Sequence, residues 1–464
     1  MNSNPIQAAY EKQQTNKTNV ARTGAKERIG KLKRLRQAIM EQRQDIAAAI
    51  AADFGKHPVE TDITEILPVL CELRHTIRHL ARWMKPKRVG TPLVLFGTRS
   101  FIRYEPRGVV LIIAPWNYPL TLMLNPLIAA IAAGNCAIVK TSEKVPHTSA
   151  FLVQFINSLF PEEEIAVFAG DKIDNAHLFE LQYDHIFFTG STRVGKLVMS
   201  EAARHLTPVT LEMSGKSPAI VDETADIEKA AQRILFGKFL NAGQTCVAPD
   251  YVLLHRTRLD AFISHAEKIL SRRYPAGSDG FARLINGPHR ERLRKMLDRS
   301  LEQGATVAIG GPVDTRRNFM PPTIVTGVTP DSPLMTEEIF GPILPVVTFD
   351  TQEDAVEIIR GREIPLALYL FSSDRKNSLH LLNTVRSGGA CLNTTVIHLV
   401  NGNLPFGGIG TSGIGSYHGF HGFETLSHKR AVLEQGPIDI LRLFYPPYSS
   451  GMKRRIDALI HHLS

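Results

Sequence analysis

Cysteine is scarce and scattered: Cys71, Cys136, Cys246 and Cys391 are the four in 464 residues, and no two form a CxxC pair. That spacing suggests neither a disulfide framework nor a zinc site, and it fits a reducing cytoplasm. The histidines His418, His421, His461 and His462 have no companion acids at ligand spacing, so no metal is expected. Basic blocks are also few. The net charge of +9 comes with Lys31-Leu32-Lys33-Arg34-Leu35-Arg36 and Lys453-Arg454-Arg455, which read as solvated helix faces rather than nucleic-acid sites. Residues 1–30 lack the apolar run of a secretory signal, so a cytoplasmic protein is expected. Internal repeats and low-complexity tracts are absent.

One stretch lacks charge altogether. No charged residue occurs from Val109 to Val139, a length that exceeds what a bilayer crossing needs. Pro115, Asn117, Pro119, Asn125, Pro126 and Asn135 interrupt it, however, and predict a strand, a stiff turn, a buried helix and a second strand instead. At 43% hydrophobic content the chain can bury a large core in two or three domains.

Apolar spacing supplies the elements. Ile29, Leu32, Leu35 and Ile39 predict an amphipathic helix over 22–52, and 59–84 repeat the pattern until Pro86 and Pro92. Residues 93–104 have strand character around Gly97-Thr98 and predict a two-stranded excursion. From 108 to 212, strands at 109–113, 136–140, 165–168, 185–189 and 209–212 alternate with helices near 122–133, 147–158 and 193–205. This rhythm predicts an α/β protein with a mostly parallel sheet that binds its ligand at the carboxyl ends of the strands. A helix at 291–303 and a strand at 306–309 belong to a second region, and 429–435 return to strand character. In the tail, Ile456, Leu459, Ile460 and Leu463 form an apolar face expected to pack on the body or a partner subunit in preference to a membrane surface.

Four segments carry chemistry. Ala114-Pro115-Trp116-Asn117-Tyr118-Pro119 follows the first strand, and its stiff turn can aim the Asn117 amide into the crevice as an oxyanion donor. Lys140-Thr141-Ser142-Glu143 offers a cation and a carboxylate suited to ribose hydroxyls. Gly190-Ser191-Thr192-Arg193-Val194-Gly195-Lys196 opens a helix whose N-terminus can receive phosphate. It departs from a P-loop at Leu197 and from the GxGxxG fingerprint, so an ordinary glycine turn fits equally well. Finally, Asn241-Ala242-Gly243-Gln244-Thr245-Cys246-Val247-Ala248-Pro249 presents Cys246 among small and polar residues, as a nucleophile or as a buried structural cysteine.

Taken together with Phe188-Thr189-Gly190-Ser191-Thr192, Val209-Thr210-Leu211-Glu212, Gly215-Lys216-Ser217-Pro218, Glu338-Ile339-Phe340-Gly341-Pro342 and Leu404-Pro405-Phe406-Gly407-Gly408, these segments make the chain resemble the aldehyde dehydrogenase superfamily over nearly its whole length. Thr245-Cys246-Val247-Ala248-Pro249-Asp250-Tyr251 and Tyr445-Pro446-Pro447-Tyr448 resemble its class 3 branch. The resemblance implies a Rossmann-like cofactor domain (1–87 and 106–213), an α/β catalytic domain (214–422), a small β bridging element used for oligomerisation (88–105 and 423–440) and a tail (441–464).

It further implies oxidation of aldehydes, apolar and of medium to long chain or aromatic, to carboxylic acids. Cys246 would add to the aldehyde, Asn117 and the Cys246 amide would hold the oxyanion, and Glu212 would serve as general base. Trp116, Lys140, Glu143, Gly190, Ser191, Gly195, Glu338 and Phe340 would contact NAD, with NADP also open. A homodimer is implied, and Tyr118, Met123, Thr395, Ile397 and His398 are candidates near the substrate entry. A coenzyme A-acylating relative and a non-enzymatic protein on the same fold are the alternatives; Glu212 speaks against the first, and intact Cys246, Asn117 and Glu212 against the second. Two departures stand out. Met213-Ser214-Gly215 replaces the usual glycine pair after the base, putting cofactor affinity in question, and Lys140-Thr141-Ser142 replaces Lys-Pro-Ser, expected to loosen the turn.

Overall fold

The computed structural model describes residues 5–172, 175–275 and 280–463. A six-stranded sheet has the order Gly413–Ile414, Val209–Met213, His185–Gly190, Val109–Ile113, Cys136–Lys140 and Ile165–Phe168, parallel throughout except for its first, two-residue strand. Every strand foreseen between 108 and 212 is present, as are helices Thr121–Ala133, Pro146–Leu159 and Thr192–Ala203. The charge-free stretch is therefore strand, turn, helix, strand. Among the described residues no helix is long and apolar enough to cross a membrane.

The run Val109-Val110-Leu111-Ile112 is apolar throughout because both faces of its sheet are covered. Val110 and Ile112 join the main core; Val109 and Leu111 point the other way, into a smaller core closed by Ile6 and Val20 of helix Pro5–Ala21 and by Val198 and Ala202 of helix Thr192–Ala203. The strand order reverses at Val109–Ile113, which pairs with later strands on both sides. The crevice beyond that reversal is where such sheets hold ligands.

A seven-stranded sheet follows in sequence, parallel except for Thr306–Ile309 at one edge, with Gly389–Leu392 at the other. A third, antiparallel sheet contains Lys87–Val89, Thr98–Pro106 and Ser427–Gln435. This corrects the two-stranded excursion expected at 93–104: Leu93–Leu95 is a 3-10 turn, and the single strand after Gly97 pairs with Lys87–Val89 and with the late strand. The helix expected over 22–52 is two, Ala25–Glu41 and Arg43–Phe54, broken where Gln42 leaves helical geometry. The tail is a helix, Ser450–Leu463, with Leu459 and Ile460 exposed, so these two do not pack on the body; the Leu463 side chain and Ser464 lie outside the described residues.

Candidate functional site

Cys246 sits on a loop held in a conformation the backbone disfavours. After helix Ile227–Phe239, Asn241, Ala242 and Gly243 adopt φ of 52°, 52° and 75°, and only glycine enters this region without steric cost. Neighbours hold it there. The Asn241 N–H donates to Glu60 Oε1 at 2.6 Å, and its side-chain amide donates to the Asn117 carbonyl at 2.8 Å. Gln244 Nε2 donates to the carbonyls of Asn241 (2.9 Å) and Arg283 (3.0 Å), while its Oε1 accepts from the Ile285 N–H. On the far side of Cys246, Tyr369 OH donates to the Val247 carbonyl at 2.5 Å.

Cys246, Asn117 and Glu212 line one cavity of about 200 Å³, and Trp116, Gly190, Ser191, Glu338 and Phe340 line it with them. Asn117 Nδ2 donates to the Gln244 carbonyl at 3.1 Å. A second N–H bond of the same amide remains. The backbone N–H groups of Cys246 and Val247 face the sulfur. Donors from two elements thus lie on the cavity wall beside the sulfur, the kind of arrangement that can hold the oxygen of an attacked carbonyl. Leu122, Leu366, Phe406 and Tyr417 give the cavity an apolar wall.

Burial governs the protons. Glu212, on strand Val209–Met213, is buried with neither carboxylate oxygen hydrogen-bonded among the described residues, and desolvation raises its pKa well above the ordinary carboxyl value. Burial, then the nearby carboxylates of Glu338 and Glu212, push the Cys246 thiol up to about 12 against the pull of the two backbone N–H groups. At neutral pH the sulfur therefore carries its proton and needs an acceptor to become a nucleophile.

Lys140 and Glu143 lie outside this cavity, at the carboxyl end of strand Cys136–Lys140, with Lys140 Nζ 3.6 Å from Glu143 Oε2. Lys144 connects the two places, its Nζ 5.8 Å from the Trp116 ring centroid. Gly195 also lies away from the cavity. It belongs to helix Thr192–Ala203, where a Cβ would come within 2.5 Å of Met213 Sδ, so its smallness serves helix-to-strand packing. Thr141 does not loosen its turn: its N–H and hydroxyl both donate to the Phe168 carbonyl, at 3.0 and 3.2 Å. Of the candidates near the substrate entry, Met123 is fully buried, Tyr118 OH is tied to Thr245 Oγ1, and the Thr395 hydroxyl donates to the Arg233 carbonyl; Leu122 faces the cavity instead.

Sequence reasoning missed His289 and Arg292, which also line the cavity. Both project from helix Gly287–Glu302, whose polar face reads as solvated, and only its approach to Phe340 reveals them.

The site suits a dinucleotide. A Cβ on Gly190 would meet the Phe188 ring at 2.6 Å, and the buried Thr189 hydroxyl has no hydrogen-bond partner among the described residues. The open N-terminus of the twelve-residue helix Thr192–Ala203 follows at once, with Ser191 as its cap.

A family model described as the aldehyde dehydrogenase family matches residues 1–432. The 4,4'-diaponeurosporen-aldehyde dehydrogenase of Staphylococcus aureus is 44% identical over 425 residues, covering 91% of this chain and 92% of that protein. Aldehyde dehydrogenase family 3 member B1 of Rattus norvegicus is 42% identical over 440 residues, covering 93% and 92%. A solved structure titled as the substrate-bound state of Staphylococcus aureus AldH superposes with a TM-score of 0.93 at 41% identity, covering 98% of this chain and 100% of that one. The chain belongs to the aldehyde dehydrogenase family, as an NAD(P)-dependent enzyme of class 3 character that oxidises aldehydes to carboxylic acids.

Proposed function

We propose that Cys246 is the nucleophile, Asn117 and the Cys246 backbone amide the oxyanion donors and Glu212 the base. The shared wall of Cys246, Asn117 and Glu212 around one cavity carries this reading. Cys246 Sγ bonds to the aldehyde carbon as its proton passes through water to solvent, and the carbonyl oxygen becomes an alkoxide facing Asn117 Nδ2 and the Cys246 N–H. NAD(P)⁺, when bound, supplies the acceptor for the hydride that the tetrahedral carbon gives up as the alkoxide re-forms a carbonyl. The carbon is then a thioester of Cys246. Glu212 takes a proton from water, the hydroxide adds to that carbon, and the C–S bond breaks to release the carboxylic acid, the proton on Glu212 returning to Sγ to restore the thiol.

Trp116, Gly190, Ser191, Glu338 and Phe340 would hold the nicotinamide half of the cofactor, and Lys140 and Glu143 the adenosine ribose. A carboxylate at Glu143 favours the free 2′-hydroxyl of NAD over a phosphate, so NAD is the first choice. The apolar wall supports apolar aldehydes as substrates. Apolar and polar aldehydes assayed by NADH and NADPH absorbance, without coenzyme A, test the reading; a strict need for coenzyme A, or no preference for apolar chains, counts against it.

In the same reading the chain divides into a cofactor domain (1–87 and 106–213), a catalytic domain (214–422), a bridging element (88–105 and 423–440) and a tail (441–464), and works in the cytoplasm. Strand Ser427–Gln435 forms one edge of the small sheet, and Gly389–Leu392 one edge of the seven-stranded sheet. Exposed Leu433 and Leu392 lie on these edges, and unpaired edges invite a second copy. This supports a homodimer, with the exposed face of the tail helix packing on the partner subunit.

A further inference from the structure

Ser214 stands where the chain leaves the six-stranded sheet for the seven-stranded one, between strands Val209–Met213 and Pro218–Val221. At this point the family pattern has glycine. The serine hydroxyl reaches across to the segment before strand Ile343–Phe349 and donates to Glu338 Oε2 at 2.6 Å. Glu338 Oε2 accepts no other hydrogen bond from the described residues. The pair also has a defined place. Ser214 and Glu338 line both the reaction cavity and an adjoining open groove of about 910 Å³, so they form part of the partition between the two.

We propose that Ser214 is a positioning residue for the cofactor, its hydroxyl fixing one oxygen of the Glu338 carboxylate so that the other is presented, already oriented, to a ribose hydroxyl. This rests on the assignment of Glu338 to the nicotinamide ribose made above. A glycine in its place would leave the carboxylate to be ordered at the moment of binding, a cost that preorganisation removes.

The hydroxyl acts on charge as well as on direction. Glu338 is raised to about 8, by burial first and then by Asp250, while the Ser214 hydrogen bond, Lys216 and Arg292 oppose the rise. The Cys246 thiol lies on the same cavity wall. A hydroxyl donor favours the ionised carboxylate, which is the form able to accept from a ribose hydroxyl. Its removal moves the ionisation of Glu338 to higher pH.

The test is binding of NADH to the full chain without aldehyde, followed by nicotinamide fluorescence from pH 6.5 to 9.5, in wild type and in Ser214→Ala, Ser214→Gly and Glu338→Gln. Losing one net hydrogen bond is expected to raise Kd about threefold to tenfold in both Ser214 variants at neutral pH. The midpoint of the pH dependence should move upward, with thermal midpoints close to wild type. Glu338→Gln should bind weakly with no such dependence. Wild-type affinity and pH profile in Ser214→Ala beside a weakened Glu338→Gln would overturn the role of Ser214 alone. Tighter binding in Ser214→Gly would do the same, showing the hydroxymethyl to be an obstacle. Unchanged binding in Glu338→Gln would instead remove Glu338 from the cofactor site, and the Ser214 proposal with it.

Discussion

His289 Nε2 donates a hydrogen bond to the Phe340 carbonyl at 2.8 Å, and Phe340 is held at a φ of 52°. The two rings also meet edge to face, 6.4 Å apart, with Trp116 against both. Burial first, then Arg292, lowers the His289 pKa to about 4, so the ring is neutral at physiological pH and holds one proton for this carbonyl. The strained Phe340 backbone is thereby tied to helix Gly287–Glu302 rather than left to relax.

His289→Ala should therefore act on the cofactor. It removes the donor to a carbonyl in the cavity wall, at a cost of about 1–3 kcal/mol for an unsatisfied group, and frees the Phe340 ring. The KM for NAD should rise roughly fivefold or more on that scale, with a smaller change in the KM for aldehyde. Initial rates at varied NAD and fixed aldehyde measure this, and equal increases in both constants would deny the specific link.

On the proposed mechanism Asn117→Ala removes a donor to the developing oxyanion. Such donors contribute about 2.7–4 kcal/mol, equivalent to two to three orders of magnitude in kcat. Because Asn117 also bonds the Gln244 carbonyl and receives the Asn241 amide on its own carbonyl, the thermal midpoint should be measured beside the rate. A rate within about threefold of wild type in a folded variant would take Asn117 out of the mechanism.

The strands from 109 to 213 were legible because alternation, turn residues and a doubly buried sheet all leave marks in composition. That Cys246, Asn117 and Glu212 share a cavity followed from the resemblance of the segments that carry them, since taken alone Cys246 read equally as a buried structural cysteine. What escaped were relations between distant segments. Helix Pro5–Ala21 is polar apart from a few positions, and its attachment runs through buried Gln13, whose amide donates to the carbonyls of Ala137 and Glu162. Glu65 caps the N–H groups of Leu120 and Thr121 at 3.2 and 3.0 Å, across 55 and 56 residues. No local pattern announces a buried carboxylate with that task, and for the same reason His289, just ahead of the helix expected at 291–303, was not singled out.

Gly243→Ala should damage the nucleophile loop more than any neighbouring substitution. The new methyl would lie 2.2 Å from the Gly341 carbonyl oxygen, at a φ of 75°. Backbone cannot yield as a flexible side chain would, so Cys246 and the Glu338–Phe340 segment should be displaced together. Loss of Cys246 alkylation protection by NAD, together with activity at least about tenfold down, is expected on the scale of strained positions. A protein labelled and protected like wild type would show that the loop accommodates a side chain.

Leu433→Asp tests the assembly. Leu433 is 52% exposed on the edge strand Ser427–Gln435, so the change should cost the isolated chain little while placing a charge where a second copy would meet it. Sedimentation should give a dimer for wild type and a monomer for the variant at micromolar concentration. An unchanged dimer would move the interface elsewhere.

Glu212→Gln separates the two halves of the chemistry and carries a signature in stability. In kinetics, one NADH per subunit should appear as a burst, followed by turnover slowed by about two to four orders of magnitude, the usual range for losing a general base. In wild type the hydrolytic step should accelerate as pH rises through the raised Glu212 pKa, because only the ionised carboxylate takes a proton from water. The sign for folding is opposite. A carboxyl whose pKa is raised by burial favours the fold fully below its unfolded value of about 4.3 and progressively loses that contribution as pH rises toward the folded value. The glutamine has no proton to lose, so the thermal midpoint of the variant should exceed that of wild type by an amount that grows from pH 5 to pH 9. A burst and a steady state diminished equally would place Glu212 before hydride transfer, and a stability difference independent of pH would deny that its carboxyl is buried with a raised pKa.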